Sequence, residues 1–232
     1  VAGPLMMVED SRSVLRGIGS YETLLTPQEQ ARATLLTGAD RPDYVAAHVL
    51  VRICAARLAD VPPQSIVIEQ RCPGCGATDH GRPYVRDHPG LSVSLSHTRG
   101  TVAAAAGRSP VGIDVETTAG FVFDPRLAER VLGAEAAAAV RTAADPALAF
   151  LRRWVRKEAL VKVGHGSLFG PATAESGTAE SGADDARWQV RGWTARDSGA
   201  VAAAVSQEPL TLLRAGGRPY GPPNPDDRPG GP

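Results

Sequence analysis

The sequence predicts an α+β fold built as two halves of similar size that meet near Arg108–Pro110. Three observations carry this prediction. Segments with helical apolar spacing and segments with strand alternation follow one another on both sides of that point, so neither an all-helical nor an all-strand protein fits. Ser109-Pro110 interrupts the pattern between two strand-like segments. A hydrophobic fraction of 43% over 232 residues is enough apolar material for a real core. The expected division is therefore residues 1–109, residues 110–212, and a disordered tail over 213–232 dominated by Gly, Pro and Asp.

In chain order, a first helix begins at Thr26-Pro27, with Thr26 as N-cap and Gln28 and Glu29 in the opening turn, and Gly38 ends it. A second starts near Asp43, where Val45, Ala46, Val49, Leu50, Ile53 and Leu58 form an apolar face. Asp60-Val61-Pro62-Pro63 stops it, Ser65–Glu69 is strand-like, and Cys72–Gly81 is a loop. Leu91, Val93 and Leu95 alternate with Ser92, Ser94 and Ser96, the period of a half-buried strand. Thr101–Ala106 is its partner across the turn at Arg99-Gly100. Val111–Glu116 reads as a strand, and helices follow at Pro125–Val131, Ala134–Thr142 and Pro146–Val163, the last capped by Gly164-His165-Gly166. Pro171–Ala186 repeats the string AESG and reads as a flexible surface loop. Arg187–Thr194 and Gly199–Val205 read as a closing hairpin.

Lys+Arg and Asp+Glu balance at 25 each, which argues against a general nucleic-acid or membrane binder. No apolar run is long enough to span a bilayer. Glu9 and Asp10 follow a short apolar stretch too closely for a signal peptide. Three cysteines, two of them in one short motif, do not read as a disulfide framework, and the expectation is a soluble cytoplasmic protein. Of the 25 basic residues only Lys157 and Lys162 are lysine. With the heavy alanine content this suggests a GC-rich genome poor in lysine codons. The two lysines are thus candidates for work that arginine cannot do.

Chemistry concentrates in three segments. On the strand Val111–Glu116, Asp114 and Glu116 project to one face while Ile113 and Val115 turn to the core. Two adjacent carboxylates repel unless a proton or cation lies between them, and oxygen ligands favour a hard ion such as Mg²⁺. The alternative is an exposed polar face of an edge strand. In the helix that follows, Trp154, Glu158 and Lys162 are spaced by four and share a face, bringing a third carboxylate together with a lysine. The alternative there is an ordinary Glu–Lys helix pair. Leu95-Ser96-His97-Thr98 places a histidine among hydroxyls at a strand end, where it can bind phosphate oxygens or serve only structure.

Gly112-Ile113-Asp114-Val115-Glu116, followed by Trp154-x-x-Lys157-Glu158-Ala159-x-x-Lys162, resembles the paired signature of the Sfp-type (surfactin-type) 4'-phosphopantetheinyl transferases. Ser94-Leu95-Ser96-His97 and Gly81-Arg82-Pro83 resemble two upstream motifs of that family, in the same order, and the resemblance runs from about Thr26 to Val205. The Trp-x-x-Lys-Glu-Ala form is similar to the subgroup serving secondary-metabolite synthases.

The resemblance implies a monomeric pseudo-dimer of two α+β halves with the active site in the cleft between them. It implies a holo-acyl-carrier-protein synthase type of enzyme that moves 4'-phosphopantetheine from coenzyme A to a carrier-protein serine. The partners implied are apo acyl and peptidyl carrier proteins of peptide synthetases, polyketide synthases or fatty-acid synthases. By the same resemblance Asp114, Glu116 and Glu158 hold Mg²⁺, Glu158 is the candidate base, and Lys162 steadies the transferring charge. Ser96 and His97 contact coenzyme A phosphate, and Arg82 with Pro83 borders the adenine. Arg52, Arg41 and Lys157 complete the coenzyme contacts, with Arg32 a further match near the 3'-phosphate. Two lysines that some members carry in the first helix are absent.

Cys72-Pro73-Gly74-Cys75-Gly76, with His80 nearby, is half of a zinc-ribbon pattern, and no second cysteine pair completes it. A structural loop or a reducible local disulfide are the other readings. Two alternative functions follow, a zinc-stabilised binding module and an inactive carrier-protein binder.

Overall fold

The computed structural model describes residues 3–18, 20–72, 74–169, 187–195 and 199–215. The loop expected over 171–186 and the tail from 216 onward lie outside the described residues.

The apolar run Leu5–Val8 is fully buried and opens strand β1 (Leu5–Asp10), followed by helix α1 (Ser11–Ile18). Sequence patterning missed this strand because it is buried on both faces, and a continuous apolar run carries no alternation. Helix α2 (Pro27–Thr34) begins on a full capping box. The Thr26 hydroxyl accepts from the Glu29 amide, and the Glu29 carboxylate accepts from the Thr26 amide. Helix α3 (Asp40–Ala59) starts three residues before the predicted Asp43. Strands β2 (Ile68–Arg71), β3 (Arg82–Val85), β4 (Ser92–Thr98) and β5 (Thr101–Gly107) complete the first half. The second half contains β6 (Val111–Thr117), α4 (Pro125–Leu132), α5 (Ala134–Arg141), α6 (Pro146–Lys162), β7 (Gln189–Ala195) and β8 (Ala200–Ser206). The last strand, β9 (Thr211–Leu212), returns to the first half.

Two sheets result, one ordered β2-β3-β4-β5-β1-β9 and one ordered β6-β8-β7. Alternation along β5 divides the core. Ala104 and Ala106 face α3, while Ala103 and Ala105 face Val111, Ile113 and Val115 of β6. Strand β8 repeats the device: Ala202 and Ala204 face the first sheet, and Val201 and Ala203 face Phe150, Leu151 and Val155 of α6. Alanine on both faces of these strands lets neighbouring layers approach closely.

Serine hydroxyls join the halves. Ser92 Oγ accepts from the Val111 amide and Ser94 Oγ from the Ile113 amide, each at 3.1 Å. The alternating serines of β4, expected to form the polar side of a half-buried strand, thus face the edge of β6.

The chain after β8 differs from expectation. β9 pairs in parallel with β1, the Leu213 amide donates to Met6 O, and the Ala215 amide donates to the Glu9 carboxylate. Residues 213–215, assigned to the tail on composition, are therefore held against the first half. An otherwise open strand edge supplies the partners.

Candidate active site at the junction of the halves

Asp145 caps α6, its carboxylate accepting from the Leu148 amide, and Pro146 occupies the first turn. The helix then lies directly on Gly112 of β6. A Cβ there would stand 2.0 Å from the Ala159 carbonyl oxygen, so only glycine permits this approach. At its far end α6 stops in a left-handed glycine, Gly164, with φ +83, and the His165 amide donates to Leu160 O.

This packing brings the predicted groups together. Lys162 Nζ donates to Asp114 Oδ1 at 2.8 Å and to Ile113 O at 2.8 Å, with Leu95 O at 3.5 Å. One ammonium thus links α6, β4 and β6. A compact cation with three rotatable donors fits this arrangement, and a planar guanidinium does not. Asp114 is only 5% exposed. Its Oδ1 also accepts from Ser96 Oγ at 2.8 Å, while the buried Oδ2 has no protein partner. A buried carboxylate oxygen left without a donor is costly, and a hard cation would satisfy it.

Glu116 and Glu158 share the same field. Burial pushes the Glu116 carboxyl up to about 7, Asp114 and Glu158 add to the shift, and Lys162 opposes it. Burial followed by the charge of Asp114 raises Glu158 as well, again against Lys162. The three carboxylates do not close to within 4.8 Å of one another. Among the described residues Cys72, Cys75 and His80 do. Three carboxylates around an orphaned Asp114 oxygen nevertheless form a donor set suited to a magnesium-class ion.

A cleft of about 670 Å³ opens beside Lys162, lined by Tyr44, Arg82, Pro83, Ser96 and His97 among others. The His97 and Tyr44 rings meet nearly at right angles, with centroids 6.4 Å apart, and burial pushes the His97 imidazole pKa down. Arg82 lies over Gly164, with a guanidinium nitrogen 2.6 Å from where a Cβ would stand. The first half thereby reaches the end of α6. Tyr44 and His48 also line the cleft and were not expected there. Both are on the helix α3 that the sequence did reveal, but nothing in its periodicity marks a cleft-facing side.

Three expected coenzyme contacts are placed elsewhere. Arg52 is fully buried and grips the Glu29 carboxylate, Nη2 to Oε2 at 2.7 Å and Nη1 to Oε1 at 3.1 Å, while Nη1 also donates to His48 O. It ties α2 to α3. Lys157 is buried and donates to Val131 O at the end of α4, where a cation satisfies a carbonyl left over by the helix. Arg41 is exposed in the first turn of α3 and is not among the residues lining the cleft. Lys157 and Lys162 share a helix but point to different surroundings, because positions five apart lie on different faces.

Among the described residues no helix is long and apolar enough to cross a membrane. Residues 110–204 match the family model described as the 4'-phosphopantetheinyl transferase superfamily. Over 137 residues the chain is 28% identical to "4'-phosphopantetheinyl transferase psf-1" of Bacillus pumilus, an alignment covering 58% of this chain and 55% of that protein. The chain therefore matches about half the length of this curated relative.

Proposed function

We propose that this chain is a member of the 4'-phosphopantetheinyl transferase superfamily and that it transfers 4'-phosphopantetheine from coenzyme A to a serine of apo carrier proteins. The observation that carries the reading is the Lys162–Asp114 pair, set between the β4 and β6 backbones at a cleft that also presents Ser96, His97 and Arg82.

Asp114, through its free Oδ2, would hold Mg²⁺ together with Glu116 and Glu158. The ion, when bound, supplies charge neutralisation at the phosphate oxygens. Ser96 and His97 bind phosphate from the β4 side, and Arg82 with Pro83 borders the adenine. Phosphoryl transfer depends mainly on positioning and charge neutralisation. The carrier serine oxygen forms a bond to the β-phosphorus as the pyrophosphate bridge breaks, and adenosine 3',5'-bisphosphate departs. Glu158 takes the serine proton. Lys162 steadies negative charge while its bond to Asp114 Oδ1 keeps Oδ2 turned to the site.

The reaction is of the holo-acyl-carrier-protein synthase type. Its partners are acyl or peptidyl carrier domains of peptide, polyketide or fatty-acid synthases, and the enzyme works as a cytoplasmic monomer. The test is intact-mass spectrometry of an apo-peptidyl carrier protein incubated with this chain, coenzyme A and Mg²⁺. The expected result is a gain of about 340 Da, one phosphopantetheine by its covalent composition, that disappears with EDTA. No gain on any of a panel of carriers that a known family enzyme modifies would overturn the proposal.

A further inference from the structure

We propose that Cys72, Cys75 and His80 form a binding site for a thiophilic divalent cation of the zinc class, which closes the β2–β3 hairpin and fixes the strand carrying Arg82 into the cleft. The hairpin register ends at Arg71 opposite Arg82, so the loop runs from Cys72 to Gly81. Its own backbone folds it back. The Cys72 amide donates to Ala77 O at 2.8 Å and the Gly76 amide to Cys72 O at 2.9 Å, with Gly76 in a left-handed conformation at φ +75.

The result is a set of three ligand atoms, one from each side chain, all within 4.8 Å of one another. Cys75 Sγ and His80 Nε2 stand 3.4 Å apart. A tetrahedral zinc with usual Zn–S and Zn–N bonds puts such a pair about 3.6 Å apart, so this pair already stands near its ligating separation. His80 Nδ1 is 2.8 Å from Asp79 Oδ1. That contact assigns the ring proton to Nδ1 and turns the Nε2 lone pair toward the sulfur, the carboxylate–histidine–metal arrangement of many sites. A Cys72–Cys75 disulfide would need neither His80 nor Asp79, and both thiols are free.

The loop has reason to need a cross-link. Gly74, Cys75, Gly76, Thr78, Asp79, His80 and Gly81 are all exposed, so there is little apolar burial to order them. One tether, Gln28 Nε2 to Thr78 O at 3.0 Å, reaches it from α2. At its end Gly81 passes so close to Arg71 that a Cβ would lie 2.4 Å from the Arg71 carbonyl, and Arg82 follows at once. Thiolate ligands reject Mg²⁺, which keeps this site chemically separate from Asp114, Glu116 and Glu158. Three protein ligands leave a fourth position to solvent at the exposed loop face.

The test uses the full chain, reduced, stripped with a chelator and titrated with Co²⁺ and then Zn²⁺. The expected result is a thiolate-to-cobalt charge-transfer band that saturates at one equivalent and is displaced by Zn²⁺. Cys75→Ser abolishes the band, Cys54→Ala in the buried core leaves it, and Asp79→Asn weakens affinity by about 10–100-fold. Zinc should also slow amide exchange across Cys72–His80 without altering exchange in α3. A reduced wild-type protein that binds Co²⁺ with no charge-transfer band, or an unchanged band in Cys75→Ser, overturns the site.

Discussion

Replacing Gly112 by alanine tests whether the contact between β6 and α6 sets the catalytic geometry. The new Cβ would stand 2.0 Å from the Ala159 carbonyl oxygen, 3.0 Å from its carbon and 3.2 Å from Val163 Cγ1. Carbon–oxygen contacts close to about 3.3 Å, so strand and helix must separate by roughly 1.3 Å. Ala159 is the neighbour of Glu158 and lies less than a turn from Lys162. Both side chains therefore move away from Asp114, whose bond to Lys162 is now 2.8 Å. Overpacking of this kind costs about 1–3 kcal/mol of stability. A misplacement near 1 Å costs about 100-fold in rate. The assay is the initial rate of carrier modification by intact mass, at saturating coenzyme A and carrier, beside a urea unfolding curve. Gly192→Ala on β7 is the control. A Cβ there meets nothing within 4 Å, and neither rate nor stability should change. If Gly112→Ala stays folded and turns over within a few-fold of the parent, the argument that this approach positions Glu158 and Lys162 is wrong.

Glu158→Gln should lower carrier modification by about 10²–10⁴-fold while the melting temperature holds, since the side chain is only half-buried; substantial residual turnover would remove Glu158 from the base role. Lys157→Met should leave the KM for coenzyme A unchanged and cost about 1–3 kcal/mol in urea unfolding, by stranding the Val131 carbonyl. A raised KM with unaltered stability would return Lys157 to the coenzyme. Stability should also fall in acid through Glu29. Burial would raise its carboxyl, but the hydrogen bond and charge of His48 and the charge of Arg52 outweigh burial and hold it at about 2. The folded pKa lies below the ordinary 4.5, so this stabilisation is complete above that value and is lost as pH falls toward 2. It amounts to about 3 kcal/mol. Urea midpoints at descending pH should show the loss, and Glu29→Gln should flatten it while lowering neutral stability by about 3–5 kcal/mol. An acid limb that survives in Glu29→Gln would place it on other carboxylates.

The elements with local signals were legible in the sequence. Thr26, Pro27 and Glu29 mark α2 because an N-cap is a contact between residues three apart. The two-residue period places Asp114 and Glu116 on one face of β6, and the four-residue period places Glu158 and Lys162 on one face of α6. Each of those statements needs only the geometry of its own element.

What a side chain meets on another element was not legible. Arg52 and Lys157 look like free cations in the string, yet the fold sets one against Glu29 and the other against the end of α4. The run Leu5–Val8 shows no periodicity, because packing on both faces selects apolar residues at every position. The serines of β4 alternate as a polar face would, and only the docking of β6 shows them satisfying backbone amides. The sequence by itself determined the elements that carry local signals, the three carboxylates and the lysine opposite them, because short-range periodicity dictates those. Tertiary structure alone decided which cations reach the cleft, and that Gly112 admits α6, because burial and partner choice depend on segments far apart in the chain.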